Sequence, residues 1–295
     1  MKRTPLKSTI MMLLAAAIWG TAFVAQRVAA DSIGAFTHNG VKFILGALST
    51  LPVALLFEKK DFSLAKFKRT AIAGILTGTI LCIASGLQQY GIVVTGNASK
   101  AAFITSLYSV FVPIFLLFGG RKTSINMWLG VGCATIGLYL ISFTGIDGFS
   151  YGDIITLMGA VFWAFHVIAI DRFVGRVNAI LYSSIQFFVC GVESLVMAFI
   201  FEDFAFVPIM AAAIPILYGG ILSAGVAFTL QVLSQKDAEP TYAAIVFATE
   251  PIFAAIGEAL ILHTYLTPTS YIGCGVIFAG VLISQFGGRK AVKAE

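Results

Sequence analysis

TYAAIVFATEPIFAAIGEALIL, residues 241–262, decides how the rest of the chain must be read. It is 22 residues long, and its only formal charges are Glu250 and Glu258. Coiled as a helix it measures roughly 33 Å, enough to cross a hydrocarbon core of about 30 Å. A carboxylate near the centre of such a span costs roughly 2.5–3.5 kcal/mol on insertion scales, so it faces protein or water and marks a functional position. Pro251 follows Glu250 directly and removes a backbone donor, which loosens the helix where the charge sits. An earlier stretch, KAAFITSLYSVFVPIFLLF at 100–118, also carries a proline before an Ile-Phe pair. A charged, proline-broken span with an earlier cousin points to a pathway through a membrane.

The composition leads to the same class. Hydrophobic residues make up 59% of the 295 residues and charged residues only 11%, against about 25% charged in soluble domains. A soluble fold could not solvate such a surface, so the expectation is an all-α polytopic membrane protein. Hydropathy and polar breaks predict ten transmembrane helices, at about 8–28, 35–57, 70–90, 98–118, 124–143, 151–171, 179–201, 211–234, 240–262 and 268–286. The joining loops are short, and no soluble domain is left over. Cys82, Cys133, Cys190 and Cys274 each fall inside a span without a CxxC pairing, and read as small buried hydrophobes. The opening MKRTPLK and the apolar run after it have the look of a signal peptide. The internal repeat described next predicts instead that the first span is retained, because it has a partner in the second half.

Basic residues fix the orientation. With the N-terminus inside, the cytoplasmic segments hold Lys2, Arg3, Lys7, Lys59, Lys60, Lys66, Lys68, Arg69, Arg121, Lys122, Arg172, Arg176, Lys236, Arg289, Lys290 and Lys293, which is 16 of the 19. Arg27, Lys42 and Lys100 remain elsewhere. The positive-inside rule then predicts an inner (plasma) membrane protein with both termini cytoplasmic. The net charge of +5 is thus a topology signal, and no nucleic-acid partner is expected.

The two halves repeat. AAAIWG (15–20) pairs with GAVFWA (159–164), placing Trp19 on Trp163. Lys42-Phe43 meets Gln186-Phe187, and Phe57-Glu58 meets Phe201-Glu202, at the same shift of 144. GILTG (74–78) matches GILSA (220–224), and GVGCATIG (130–137) matches GCGVIFAG (273–280). This predicts two repeats, residues 1–145 and 146–295, of five spans each. An odd number of spans inverts the second repeat relative to the first. Inverted repeats are typical of secondary transporters, whose substrate site lies near the midplane between halves.

WGTAFVAQR (19–27), ASKAAFITSLYSVFVPIF (98–115) and TYAAIVFATEPIFAAI (241–256) resemble the EamA family of the drug/metabolite transporter superfamily. The resemblance runs over essentially the whole chain. It implies a secondary transporter that works by alternating access, and it is the basis for expecting export. Such families carry amino acids, sugars, nucleotide-linked metabolites and drugs. Two features depart from the family pattern. The Gly-Glu pair that often ends the fourth helix of each repeat is replaced by GGRKT (119–123) and LHTYL (262–266), and a family arginine in the second helix is Lys42 here. Lysine keeps the charge but loses the bidentate fork.

The candidate substrate-binding residues are Trp19, Lys42, Gln88, Tyr108, Trp163, His166, Gln186 and Glu250. Lys42 can hold an anionic group, pair with a carboxylate such as Glu193 or Glu258, or snorkel to the headgroups. Glu250 is too central to snorkel, and a carboxyl that takes up and releases a proton there suits coupling to protons. The two tryptophans offer cavity wall or plain helix packing, and Gln88, Tyr108 and Gln186, like Thr105 and Gln231, can line a cavity or bond between helices. His166 has no second ligand at metal-binding spacing. No cofactor motif is present, and without a Walker A sequence the chain does not hydrolyse ATP. The glycine motifs at 130–137 and 273–280 suit peripheral packing or a dimer contact, leaving monomer and homodimer both open.

The expected partners are therefore the lipid bilayer and a small-molecule substrate. An ammonium, a carboxylate and two indoles in one cavity would suit an amino acid or a similar zwitterion. The alternatives are a carrier of another solute (a drug cation, a nucleoside or a sugar-type metabolite), an integral-membrane lipid-modifying enzyme, or a channel. The scattered intramembrane acids speak against the enzyme, and nothing resembles a selectivity filter.

Overall fold

Ser63, Ser150 and Glu239 each cap a helix, and between such caps the apolar runs wind almost without interruption. The computed structural model describes residues 4–59, 63–142, 150–261 and 267–286. Its helices are α1 Leu6–Ala29, α2 Ala35–Phe57, α3 Leu64–Thr95, α4 Ala98–Ser106, α5 Tyr108–Phe118, α6 Ile125–Ser142, α7 Tyr151–Phe173, α8 Ala179–Phe201, α9 Phe206–Ala211, α10 Ala213–Leu217, α11 Thr229–Ser234, α12 Pro240–Phe247, α13 Glu250–Ile261 and α14 Pro268–Phe286. A π-helical stretch, Tyr218–Phe228, joins α10 to α11. Among the described residues there is no strand.

Eight of the helical stretches there are long and apolar enough to cross a membrane. The apolar parts of α6 and α14, Ile125–Leu140 and Tyr271–Ser284, are shorter. The chain is a multi-pass membrane protein whose regular structure, among the described residues, is all helical. The third span begins at Leu64 rather than near 70, because Ser63 accepts a hydrogen bond from Lys66 N and starts the helix ahead of its apolar part. Of the basic residues used for orientation, Lys2, Arg3, Lys60, Arg289, Lys290 and Lys293 lie outside the described residues, as do both termini and the LHTYL stretch.

Helix α2 packs along α8, and α3 along α7 and α8. The α2–α8 pair is pinned at both ends in the same way. Glu58, just past α2, accepts from Ile180 N at 3.0 Å and Leu181 N at 2.9 Å, at the start of α8. Glu202, just past α8, accepts from Phe36 N and Thr37 N at 2.8 Å and from Thr37 Oγ1 at 2.7 Å, at the start of α2. The first amides of a helix have no partner within it and carry partial positive charge, so a carboxylate there both satisfies them and complements the helix dipole. Caps of this kind contribute about 0.5–2 kcal/mol each.

Helices α6 and α14 pack together through their glycine motifs. A Cβ on Gly130 would stand 2.9 Å from the Gly280 carbonyl oxygen, and one on Gly137 would stand 2.5 Å from that of Gly273. Gly130, Gly137, Gly273 and Gly280 are therefore used within the chain, whereas Gly132 and Gly275 face open space and Leu129, Ile136, Tyr271, Ile272 and Leu282 are exposed.

Two spans are broken. Pro251 lacks an N–H, and its ring in a continuous helix would collide with the Phe247 carbonyl. The chain instead tightens into two short turns, Thr249 N to Val246 O at 3.1 Å and Ile252 N to Thr249 O at 3.0 Å, between α12 and α13. The fourth span breaks at Leu107 with the same tightening, Leu107 N to Ile104 O at 3.2 Å and Val110 N to Leu107 O at 2.9 Å. α4 packs on α13 and α5 on α12, so the broken helices run antiparallel and meet at their breaks. Two ion pairs strap the first of them to α7, Lys100–Asp153 at 2.8 Å at one end and Arg121–Asp171 at 2.6 Å at the other.

Candidate functional site

At the meeting point of the two breaks, Tyr108 Oη donates to Glu250 Oε1 at 2.9 Å. Each is the first residue of its second half-helix, so corresponding positions of the two broken spans bond to each other. Beside them opens a cavity with about 530 Å³ of space unfilled by atoms, counting the part continuous with solvent.

Trp19, Lys42, Gln88, Tyr108, Trp163 and Glu250 all line this cavity. Six residues from six different spans thus converge. Lys42 is 5% exposed and turned inward, with its Nζ 4.5 Å from the centroid of the Phe43 ring. That position excludes snorkelling to the headgroups. Its stem packs on Gly219 of the π-helical stretch, where a Cβ would stand 2.9 Å from Lys42 Cδ. Among the described residues no carboxylate lies within 4.0 Å of Lys42, and it makes no hydrogen bond. Glu193 is occupied by Thr79 Oγ1 at 2.7 Å. Glu250, 4% exposed, has Tyr108 as its neutral partner and no basic residue. Among the described residues the cavity therefore holds an amine and a carboxyl with no salt bridge between them. Arg27 and Lys100 are engaged away from it, on the Gly96 carbonyl at 2.8 Å and on Asp153.

His166 and Gln186 are not among the residues that line this cavity. Both are fully buried, and they bond to each other, His166 Nε2 to Gln186 Oε1 at 3.0 Å, behind the cavity wall. His166 shares a helical face with Trp163 in the sequence, but its ring stands edge-on to the rings of Trp163, at 5.5 Å, and Phe228, at 5.9 Å. The aromatic wall takes the surface and leaves the histidine in the layer beneath.

Phe228 is the centre of that wall and was not legible in the sequence. Its ring lies 4.6 Å from that of Trp19, 5.9 Å from Trp163 and 6.1 Å from Phe43, and it faces the cavity with Phe23, Gln26, Ser85, Thr105, Val167, Ser223 and Gln231. Phe228 ends the π-helical stretch, where the wider turn shifts the phase that a 3.6-residue period would assign. The same stretch is tied to α1 by Trp19 Nε1 donating to Ser223 O at 3.2 Å and Tyr218 Oη donating to Ile18 O at 3.1 Å. One turn from Lys42 on α2, His38 is buried with neither ring nitrogen bonded, a second polar group that composition alone does not flag.

Among the described residues no group of three or more His, Cys, Asp or Glu could hold a metal ion. Trp163 Nε1 and Thr105 Oγ1 are buried without a protein partner. Groups of this kind cost free energy unless something bonds to them. The arrangement can bind a small molecule that has an anionic group for Lys42, a cationic or donor group for Glu250, and a flat or apolar part for the indoles and Phe228.

The model of the EamA-like transporter family matches the chain twice, over residues 6–143 and 150–286. An uncharacterized transporter from Archaeoglobus fulgidus is 28% identical over 278 residues, covering 92% of this chain and 83% of that protein. The uncharacterized inner membrane transporter YedA of Escherichia coli is 22% identical over 270 residues, covering 90% and 87%. A solved crystal structure of another protein superposes with a TM-score of 0.77 at 15% identity, over 96% of this chain and 98% of that one, a likeness of fold.

Proposed function

The chain belongs to the EamA-like transporter family, and we propose that as a membrane transporter it carries a small zwitterion, an amino acid or a metabolite of that size. The observation that carries this reading is an amine and a carboxyl in one cavity with no salt bridge between them, Lys42 without a carboxylate partner among the described residues and Glu250 bonded only to a tyrosine. A zwitterion compensates both. A purely anionic substrate would leave Glu250 repelling it, a cationic drug would leave Lys42 unused, and a sugar would leave buried charges uncompensated.

We propose further that the ten apolar helices, α6 and α14 included, form two inverted five-helix halves, residues 1–145 and 146–295, that rock about this cavity in alternating access. The double family match and the antiparallel meeting of the broken helices support this arrangement. Both termini face the cytoplasm of a plasma-membrane protein, as the gathering of basic residues at one end of the bundle suggests. Glu250 couples the cycle to protons: freed from Tyr108, its carboxyl takes up a proton on one side and releases it on the other. Carriage is outward, in keeping with the family resemblance.

The test is efflux of labelled amino acids from loaded cells carrying the wild type or Lys42→Ala. The reading predicts efflux that saturates, shows counterflow in proteoliposomes and falls to background in the variant. If no amino acid leaves faster than from cells lacking the protein, or if Lys42→Ala matches the wild type, the zwitterion is the wrong substrate class.

A further inference from the structure

On the zwitterion reading proposed above, Lys42 and Glu250 hold the two charges of the substrate, and the remaining wall of the cavity meets its side chain. Part of the polar wall is already bonded within the protein. Trp19 Nε1 donates to Ser223 O at 3.2 Å, Ser85 Oγ to Leu81 O at 2.7 Å, and Gln88 Nε2 to Gln26 Oε1 at 3.3 Å. Three buried groups on residues that line the cavity have no such bond among the described residues: Trp163 Nε1, Thr105 Oγ1 and Gln231 Oε1. Thr105 and Gln231 are each 2% exposed, so bulk solvent does not serve them. The contrast is plainest between the two tryptophans, where one indole N–H is used up and the other is not.

These three groups gather along one helix. Phe228 stacks on the Trp163 ring at 5.9 Å and 23°, which covers a face of the indole but not its N–H edge. Gln231 stands three residues beyond Phe228, on the same side of the chain. Gln235 Nε2 donates to Val167 O at 3.0 Å and ties the end of α11 to α7. Gln231 therefore lies beside α7 between the levels of Trp163 and Val167. Thr105 comes from the last turn of α4, which also packs on α7.

The indole N–H can only donate, the Gln231 carbonyl oxygen can only accept, and a threonine hydroxyl does either. A ligand relieves all three only with a group that both accepts and donates. An aliphatic side chain would bury against them and leave them unpaired. A charged side chain would fare no better, because the ionisable residues lining the cavity are Lys42, Tyr108 and Glu250, and all three are engaged by the two ends of the zwitterion or by each other. We propose that Trp163, Gln231 and Thr105 form a third subsite that selects amino acids whose side chain carries an uncharged donor–acceptor group, a hydroxyl or a carboxamide.

The test is calorimetric titration of the purified full-length protein with the common amino acids, read through two isosteric pairs. Threonine differs from valine by a hydroxyl in place of a methyl, and asparagine from leucine by a carboxamide in place of a branched alkyl. In at least one pair the polar member should bind at least about tenfold tighter, and aspartate should bind more weakly than asparagine. Which pair shows the preference separates hydroxyl from carboxamide. Trp163→Phe/Gln231→Leu should bring that ratio below about threefold, whereas loss of structure alone would weaken both members of a pair alike. The melting temperature without ligand checks that the double variant folds, and Gln231→Leu alone serves if it does not. If no common amino acid binds, the zwitterion reading falls and the third subsite with it. If amino acids bind but neither pair differs by tenfold, the zwitterion reading stands and the third subsite is overturned, its groups being served by water. A preference that survives the double variant, or aspartate binding as tightly as asparagine, overturns it as well.

Discussion

The α2–α8 pair and the broken-helix pair, α4/α5 with α12/α13, are both antiparallel and both depend on glutamates, yet they use them in opposite ways. In α2–α8 the helices are continuous, and Glu58 and Glu202 sit past their ends, each spent on the first amides of the partner helix. In the broken pair the helices part at mid-span, and Glu250 lies inside the bundle with a single tyrosine for company. A carboxylate at a helix end is consumed by structure. One at a mid-span break keeps bonding capacity to spare. The difference teaches that position along the span, more than residue type, separates scaffold from site.

The largest break in this comparison should come from Glu250→Gln. Loss of a hydrogen bond to a charged group costs about 1.5–3 kcal/mol, or roughly tenfold to a hundredfold. Transport measured in proteoliposomes should fall by about that factor and lose its dependence on pH, while the melting temperature stays near that of the wild type. Tyr108→Phe, by freeing the carboxylate without removing it, should fall less and keep its pH dependence.

The next effect is the reverse. Glu58→Gln/Glu202→Gln should lower stability by about 1–4 kcal/mol, two caps at about 0.5–2 kcal/mol each, and leave substrate affinity in the surviving folded protein unchanged. Thermal unfolding and binding on the same preparation check both halves of that statement. If affinity falls with stability, the α2–α8 pair is part of the site and the division between scaffold and site is wrong. The smallest effect is expected at His166. His166→Asn keeps a group for Gln186 and removes no cavity contact, so affinity should change by less than about threefold.

How much of this was legible in the sequence follows from the same physics. The spans and most of their ends are fixed by hydropathy, which is a property of composition over twenty residues. The repeated Phe-Glu pair at 57–58 and 201–202 was visible as a repeat, but not as two caps, because a cap depends on which amides lie across a pair of helices. Glu250 and Lys42 were legible because a charge in an apolar run needs a reason. Phe228 was not, since a phenylalanine in an apolar run needs none, and the π-helical stretch that turns it inward has no marker in its residues. That His166 and Gln186 bond to each other was not legible, because polarity shows that a partner is required without saying whether the partner is a ligand or another side chain.

The central claim is that Lys42 and Glu250 read opposite ends of one molecule, and the most direct measurement is a matched-analogue thermal shift on the purified protein. Each of the common amino acids would be compared with its carboxamide, which lacks the anion, and with its N-acetyl derivative, which lacks the cation. The account predicts that at least one amino acid raises the melting temperature. Its carboxamide should lose most of that shift in the wild type and be indifferent to Lys42→Ala, and its N-acetyl derivative should behave likewise toward Glu250→Gln. Equal shifts from an amino acid and both of its analogues, or no shift from any amino acid, would contradict it.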